Sequence, residues 1–187
     1  RQFFIWSGGL LLLCILAVVV FDPFFQYHKP LKGLKAVLTD KEYQCVGSLK
    51  TFDYDSVIAG SSVSENYYND WFNQAFGCRT IKAIRSYGAT ADLCYLLDIA
   101  FSRQNLKYVF YNLDSAALVA EPETTYELTG CPMYLYDDNY FNDIEYWLNK
   151  GVLMEKIPYL IANSTIGDYN ENDSYNWAQW KQFNSDM

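Results

Sequence analysis

From Phe3 to Phe21 the chain is almost continuously apolar and carries no charge. A bilayer core of ~30 Å needs roughly 20 such residues as a helix, so residues 1–21 are read as one transmembrane segment. A cleaved signal peptide has a shorter apolar region and a small-x-small cleavage site. No such site stands out here, and Asp22-Pro23 ends the run abruptly. That pattern favours an uncleaved signal anchor, and it is a poor match to a core helix, which at this length needs a polar face. Residues 22–52 follow as a juxtamembrane connector, punctuated by Pro23, Pro30 and Gly33. Phe24, Phe25, Tyr27 and His28 suit a membrane interface. His28 is the single histidine, and an interfacial role is expected for it rather than catalysis. Residues 41–52, with Cys45 and Gly47, are expected to cross the domain surface.

The pattern then changes. Val57-Ile58-Ala59 is too short for a globular helix and suits a buried strand. Gly60 permits a tight turn, and Ser61, Ser62 and Ser64 are N-cap candidates for a helix over residues 65–76. Tyr68, Trp71, Phe72 and Phe76 form that helix's apolar stripe, and Gly77 ends it. Residues 80–85 read as a second strand, 86–90 as a turn, and 91–103 as a helix capped by Thr90, with Leu93, Leu96, Leu97 and Ala100 inward. Residues 106–113 read as a third strand. Three strand–turn–helix units in succession predict an α/β domain with a parallel sheet. Beyond an irregular connection between Pro122 and Pro132, residues 141–150 read as a helix stopped by Gly151. Residues 152–157 read as a short second helix interrupted at Pro158. The polar, aromatic tail from Gly167 reads as an ordered surface loop or a domain edge.

The 187 residues fit one domain, residues 53–187, plus the extension. A net charge of -8 argues against a nucleic-acid partner, which needs clustered Lys and Arg. The seventeen Tyr and twelve Phe read first as core and strand filler and second as a surface groove. Cys45, Cys78, Cys94 and Cys131 contain no C-x-x-C pair, so no zinc site is expected; one or two disulfides and buried thiols stay open as alternatives. Asp137, Asp138, Asp143 and Glu145 read as a solvated acidic face before a cation site. No metal or cofactor is expected. Asn163-Ser164-Thr165 fits the glycosylation pattern, a short motif that is a weak signal by itself.

Chemistry concentrates at Asp53-Tyr54-Asp55-Ser56-Val57-Ile58-Ala59-Gly60-Ser61-Ser62. Ligands of open parallel sheets bind at the carboxyl ends of strands. Serines there either cap a helix or present a nucleophile beside a helix N-terminus. The G-x-S-x-G elbow is not matched, since Ser64 stands two residues after Ser62. Ser62, Gly88 and Asp114 each follow a predicted strand, and the topology brings such positions to one sheet edge.

Gly60-Ser61-Ser62 after the first strand resembles the first block of the SGNH (GDSL-like) hydrolases. With the anchor and the connector Phe21-Asp22-Pro23-Phe24-Phe25-Gln26-Tyr27-His28-Lys29-Pro30, it is similar to a membrane-anchored bacterial branch related to the DltD-type teichoic-acid D-alanylation proteins. The resemblance runs through about Ala120. It implies a flavodoxin-like three-layer sandwich outside the bacterial cell membrane, single-pass, acting as an esterase or acyltransferase on envelope polymers. A membrane-bound O-acyltransferase is the implied partner. By the same resemblance Ser62 is the nucleophile, the Ser62 and Gly88 amides are oxyanion donors, and Asp114 takes the place of the oxyanion Asn, with Asn112 close enough to leave that assignment open.

Three departures matter. Ser61 replaces the block's Asp, a carboxylate at Asp114 opposes an oxyanion if ionised, and no histidine follows Ser62. Without a base the hydroxyl stays protonated and weakly nucleophilic. Because the chain opens on Arg1, it is read as part of a longer protein; a later Asp-x-x-His would supply the base, and its absence would leave a noncatalytic binding or scaffolding module. Orientation stays in conflict. Lys29, Lys32 and Lys35 after the anchor, against Arg1 before it, place the domain in the cytoplasm by the positive-inside rule, whereas the resemblance places it outside.

Overall fold

A computed structural model describes residues 2–115, 118, 129–166 and 174–175. Helix α1 (Gln2–Phe21) is long and apolar enough to cross a membrane, and its side chains up to Leu13 are exposed. It ends where the Asp22 amide bonds to Val18 O at 2.8 Å with Asp22 at φ 38°. Aspartate tolerates that left-handed position better than most residues, and Pro23 cannot continue the helix.

The Asp22 side chain then organises the elbow. It is buried and accepts the amides of Gln26 (3.0 Å), Tyr27 (2.7 Å) and His28 (3.2 Å) and the Tyr146 hydroxyl (2.8 Å). Burial raises its pKa above the usual carboxylate value, and those hydrogen bonds pull the other way. His28 is the connector residue expected: Nε2 lies 3.0 Å from Val19 O and Nδ1 2.6 Å from Lys29 O. Only an imidazolium can donate to both, and its charge sits favourably at a helix C-terminus.

Residues 41–52 depart from expectation. Lys41–Thr51 is helix α2, with Cys45, Val46 and Leu49 fully buried in the core. Its start is held by buried Gln44, which accepts the amides of Thr39 and Asp40 (both 2.8 Å) and donates to Pro23 O (3.0 Å) and Val37 O (2.7 Å). A buried amide satisfied on both sides carries little penalty, so a polar residue sits on an inward face that the sequence pattern hides.

The α/β reading holds. Strands β1 (Ser56–Gly60), β2 (Thr80–Ile84) and β3 (Tyr108–Tyr111) form a parallel sheet in the order β2-β1-β3, with Ser56 opposite both Thr80 and Tyr108. β1 and β2 are buried throughout, as parallel strands covered on both faces should be. α2 packs against α4 (Thr90–Arg103) and β2, and α4 reaches β1. Tyr111 bonds to Thr90 on that side, while Phe110 and Tyr108 meet Phe76 of α3 (Asn69–Phe76). Alternation along β3 thus sends successive side chains to different helices.

The expected helix over 65–76 is split. A 3₁₀ helix covers Ser62–Asn66, extended backbone follows at Tyr67 and Tyr68, and α3 is only eight residues long. The aromatic stripe is largely exposed, with Trp71 and Phe76 more than half accessible, and only Phe72 and Phe76 engage β3. Gly77 caps α3 in the left-handed conformation, as expected. Thr90 does not cap α4; Asp92 accepts the Ala89 amide instead, at 2.9 Å. Helix α5 is the single turn Ile144–Trp147, and a π-helical turn (Val152–Lys156) runs directly into α6 (Ile157–Ile166). Pro158 therefore does not interrupt; it stands just past the π-helical turn, inside a helical run that continues from Lys150 to Ile166. Asn163 lies in α6 and donates to Tyr159 O, so the glycosylation pattern is helical. The segments at 116–117, 119–128 and 167–187 lie outside the described residues, apart from Ser174 and Tyr175, which are buried.

All five cysteines are free, so the disulfide alternative is corrected to thiols. Burial pushes the Cys45 thiol up to about 12, leaving it unreactive. Three of the four acids are engaged by separate partners: Asp138 pairs with Arg103, Asp137 accepts from Asn142 Nδ2 at 2.8 Å, and Asp143, buried rather than solvated, accepts from Tyr27 at 2.7 Å.

Candidate functional site at the carboxyl ends of the strands

β1 ends at Gly60, and the next residue is the N-cap of the 3₁₀ helix. Ser61 Oγ accepts the Val63 amide at 3.4 Å, and Ser61 O accepts the Ser64 amide at 3.0 Å. Serine is favoured at this position because it satisfies an otherwise orphaned helix-start donor. The same hydroxyl donates to an Asp114 carboxylate oxygen, joining the ends of β1 and β3. The capping reading is thus realised by Ser61, which also makes the contact to the third strand.

Ser62 is the first residue of the 3₁₀ helix and is half-buried. Among the described residues nothing hydrogen-bonds its Oγ. Gly88 is buried in the turn after β2, where its amide donates to Arg85 O at 3.2 Å. That amide is taken up by its own turn. The structure therefore brings Asp114 to the serine turn through Ser61, while Gly88 makes its contacts with Arg85.

Asn112 is the residue this geometry adds in detail. Its amide donates to Ala59 O at 2.8 Å, continuing the ladder one residue past β3, and its Oδ1 accepts from Tyr67 at 3.0 Å. Asn112 Nδ2 is buried and has no hydrogen-bond partner. Ser64, fully buried, also has an unpartnered Oγ. Both flank Gly60: a Cβ added there would overlap Ser64 Oγ and stand 3.0 Å from Asn112 Cβ. Glycine is required because the 3₁₀ turn folds back onto the strand end. Buried groups without partners are few in native proteins, and each calls for an explanation such as strain, a functional role or a bound water or ion. Asn112 was legible in sequence as a neighbour of Asp114; Tyr67 was not, because the helix break that frees it carries no Gly or Pro.

Two buried cations bracket the same edge. Lys82, on β2, donates to Glu65 O and Ser174 O, both at 2.8 Å, and Lys41 pairs with Glu65. Arg85 follows β2 and bonds to Glu42 (3.0 Å), Thr129 Oγ1 (2.9 Å) and Cys131 Sγ (2.6 Å). Burial pushes the Cys131 thiol up, with the Arg85 guanidinium and Tyr136 hydroxyl opposing. These pairs hold the loops that follow β1 and β2. Among the described residues no group of three or more His, Cys, Asp or Glu could hold a metal ion. The lone histidine belongs to the α1 elbow, bonded to Val19 and Lys29. Comparison with family models, curated proteins and solved structures finds no match to this chain.

Proposed function

We propose that this chain is an SGNH-like domain, anchored by α1 in a bacterial cell membrane, whose strand-end serine site takes an acyl ester of an envelope polymer. The carrying observation is the buried, unpartnered Asn112 Nδ2 at the serine turn. It is a donor in want of an oxygen beside Gly60, two residues before the half-buried Ser62. A carbonyl oxygen satisfies such a donor, and donors aimed at a developing oxyanion are the main electrostatic aid to acyl transfer. The strand order β2-β1-β3, with helices contacted from alternate sides of β3, supports a flavodoxin-like three-layer arrangement. In this reading Ser62 is the nucleophile, Asn112 is a better oxyanion donor than Gly88, and Asp114 positions the turn through Ser61. The domain faces outside the cell, where esterase or acyltransferase chemistry reaches envelope polymers, and a membrane-bound O-acyltransferase is its partner.

A specific observation favours the noncatalytic alternative: no described residue stands as a base on Ser62, and His28 is held at the elbow. Fluorophosphonate labelling of the protein in its native membranes separates the two. Labelling lost in Ser62→Ala and kept in Ser61→Ala identifies an activated Ser62. No labelling of the unaltered protein sinks the enzyme and leaves a polymer- or partner-binding module.

A further inference from the structure

The last two turns of α1 do not stand free. Cys14, Ile15, Ala17, Val19 and Phe21 are half-buried and Val18 is fully buried, where α5 and the π-helical turn pack against the helix. The apolar run between Arg1 and Asp22 forms a helix of 20 residues, about 30 Å at ~1.5 Å per residue, which is the thickness of the hydrocarbon core. A span over the whole of α1 matches that core. The elements packed along its last eight residues, roughly 12 Å, must then lie within the depth of the membrane on that side.

Their outward side chains match that depth. Phe141 is 93% exposed and Tyr140 59%, and Ile144, Leu148 and Met154 are also exposed. Tyr140 stacks obliquely on Tyr27, whose hydroxyl accepts the Trp147 indole N–H at 2.7 Å. Aromatic rings with a polar tip are enriched at the membrane–water boundary. We infer that residues 140–148, with Met154, form an apolar collar that seats the domain in the lipid interface beside α1. This rests on the reading of α1 as a membrane anchor. Glu145, exposed on the same short turn, keeps the collar at the headgroup boundary, since a carboxylate is costly deeper. The segment's charges, Asp137, Asp138, Asp143 and Glu145 against Lys150, are mostly acidic. The surface therefore fits zwitterionic lipid through apolar contact, without attraction to anionic headgroups.

The test reconstitutes the full chain in phosphatidylcholine nanodiscs doped with a diazirine-bearing phosphatidylcholine and maps photo-adducts by mass spectrometry. Adducts are expected in α1 and in residues 140–148. Phe141→Glu with Ile144→Glu, both at exposed positions, should lower the second set about tenfold and leave the α1 adducts and near-UV circular dichroism intact. Adducts confined to α1 overturn the collar and leave the anchor standing. Adducts in neither overturn the anchor as well.

Discussion

The elbow after α1 and the serine turn after β1 are both buried polar knots, yet they are wired differently. At the elbow both Asp22 oxygens are occupied by three amides and the Tyr146 hydroxyl. Its leftover atom is an acceptor, Gln26 Oε1, on an amide whose nitrogen already serves Phe24 O and Tyr43 O. Under-satisfied carbonyl oxygens are the more tolerable kind of orphan. At the serine turn the orphans are a donor, Asn112 Nδ2, and a hydroxyl, Ser64 Oγ, on either side of Gly60. A charge with both oxygens occupied fixes geometry; donors without acceptors leave capacity for a ligand. That difference, together with its place at the strand ends, makes the serine turn the candidate functional site.

The largest effect should come from the elbow. Asp22→Ala strips partners from three amides and a buried phenol at once and should cost about 3 kcal/mol in denaturant unfolding of the detergent-solubilised chain. A loss no larger than that of an exposed carboxylate would mean the knot is not structural.

Gly60→Ala tests the serine turn next. The added methyl overlaps Ser64 Oγ and crowds Asn112, an overpacking cost of about 2 kcal/mol. Ser64→Ala alone should stabilise the fold by about 1 kcal/mol, because a buried hydroxyl without a partner carries a desolvation cost. Added to Gly60→Ala it should restore part of the loss, the Ser64 Cβ still standing 3.2 Å away. Additive single effects in that double-mutant cycle would contradict the contact.

The smallest effect is a pH slope at the elbow. Burial opposes protonation of His28, but the carbonyls of Lys29 and Val19 outweigh it and raise the pKa above 6.5. The stabilisation is therefore fully present below pH 6.5 and is lost as pH rises through the raised folded value. Melting temperatures recorded from below to well above pH 6.5 should fall across that window. His28→Gln should flatten the fall, and an unchanged slope would assign it elsewhere. The serine turn, with no histidine, should contribute nothing there.

Local chemistry made much of this chain readable. An uncharged apolar run can only be a long helix exposed to lipid or a buried one, so α1 was legible from composition. Val57-Ile58-Ala59 followed by Gly60 and serines could hardly be other than a strand and a capped turn, and Gly77 punctuates α3 by its own backbone freedom. What the chain order could not contain was which distant groups meet. Whether Ser61 or Ser62 faces Asp114 depends on a rotation of the turn set by β1–β3 register and by Ser64 folding under Gly60. Whether residues 41–51 run over the surface or through the core depends on Gln44 finding four backbone partners, two before the helix and two at its start. Sequence by itself determined the local elements, because periodicity and turn chemistry act between near neighbours. Only the tertiary structure decided the pairings, because a buried polar group is stable or costly according to partners brought to it from elsewhere in the chain.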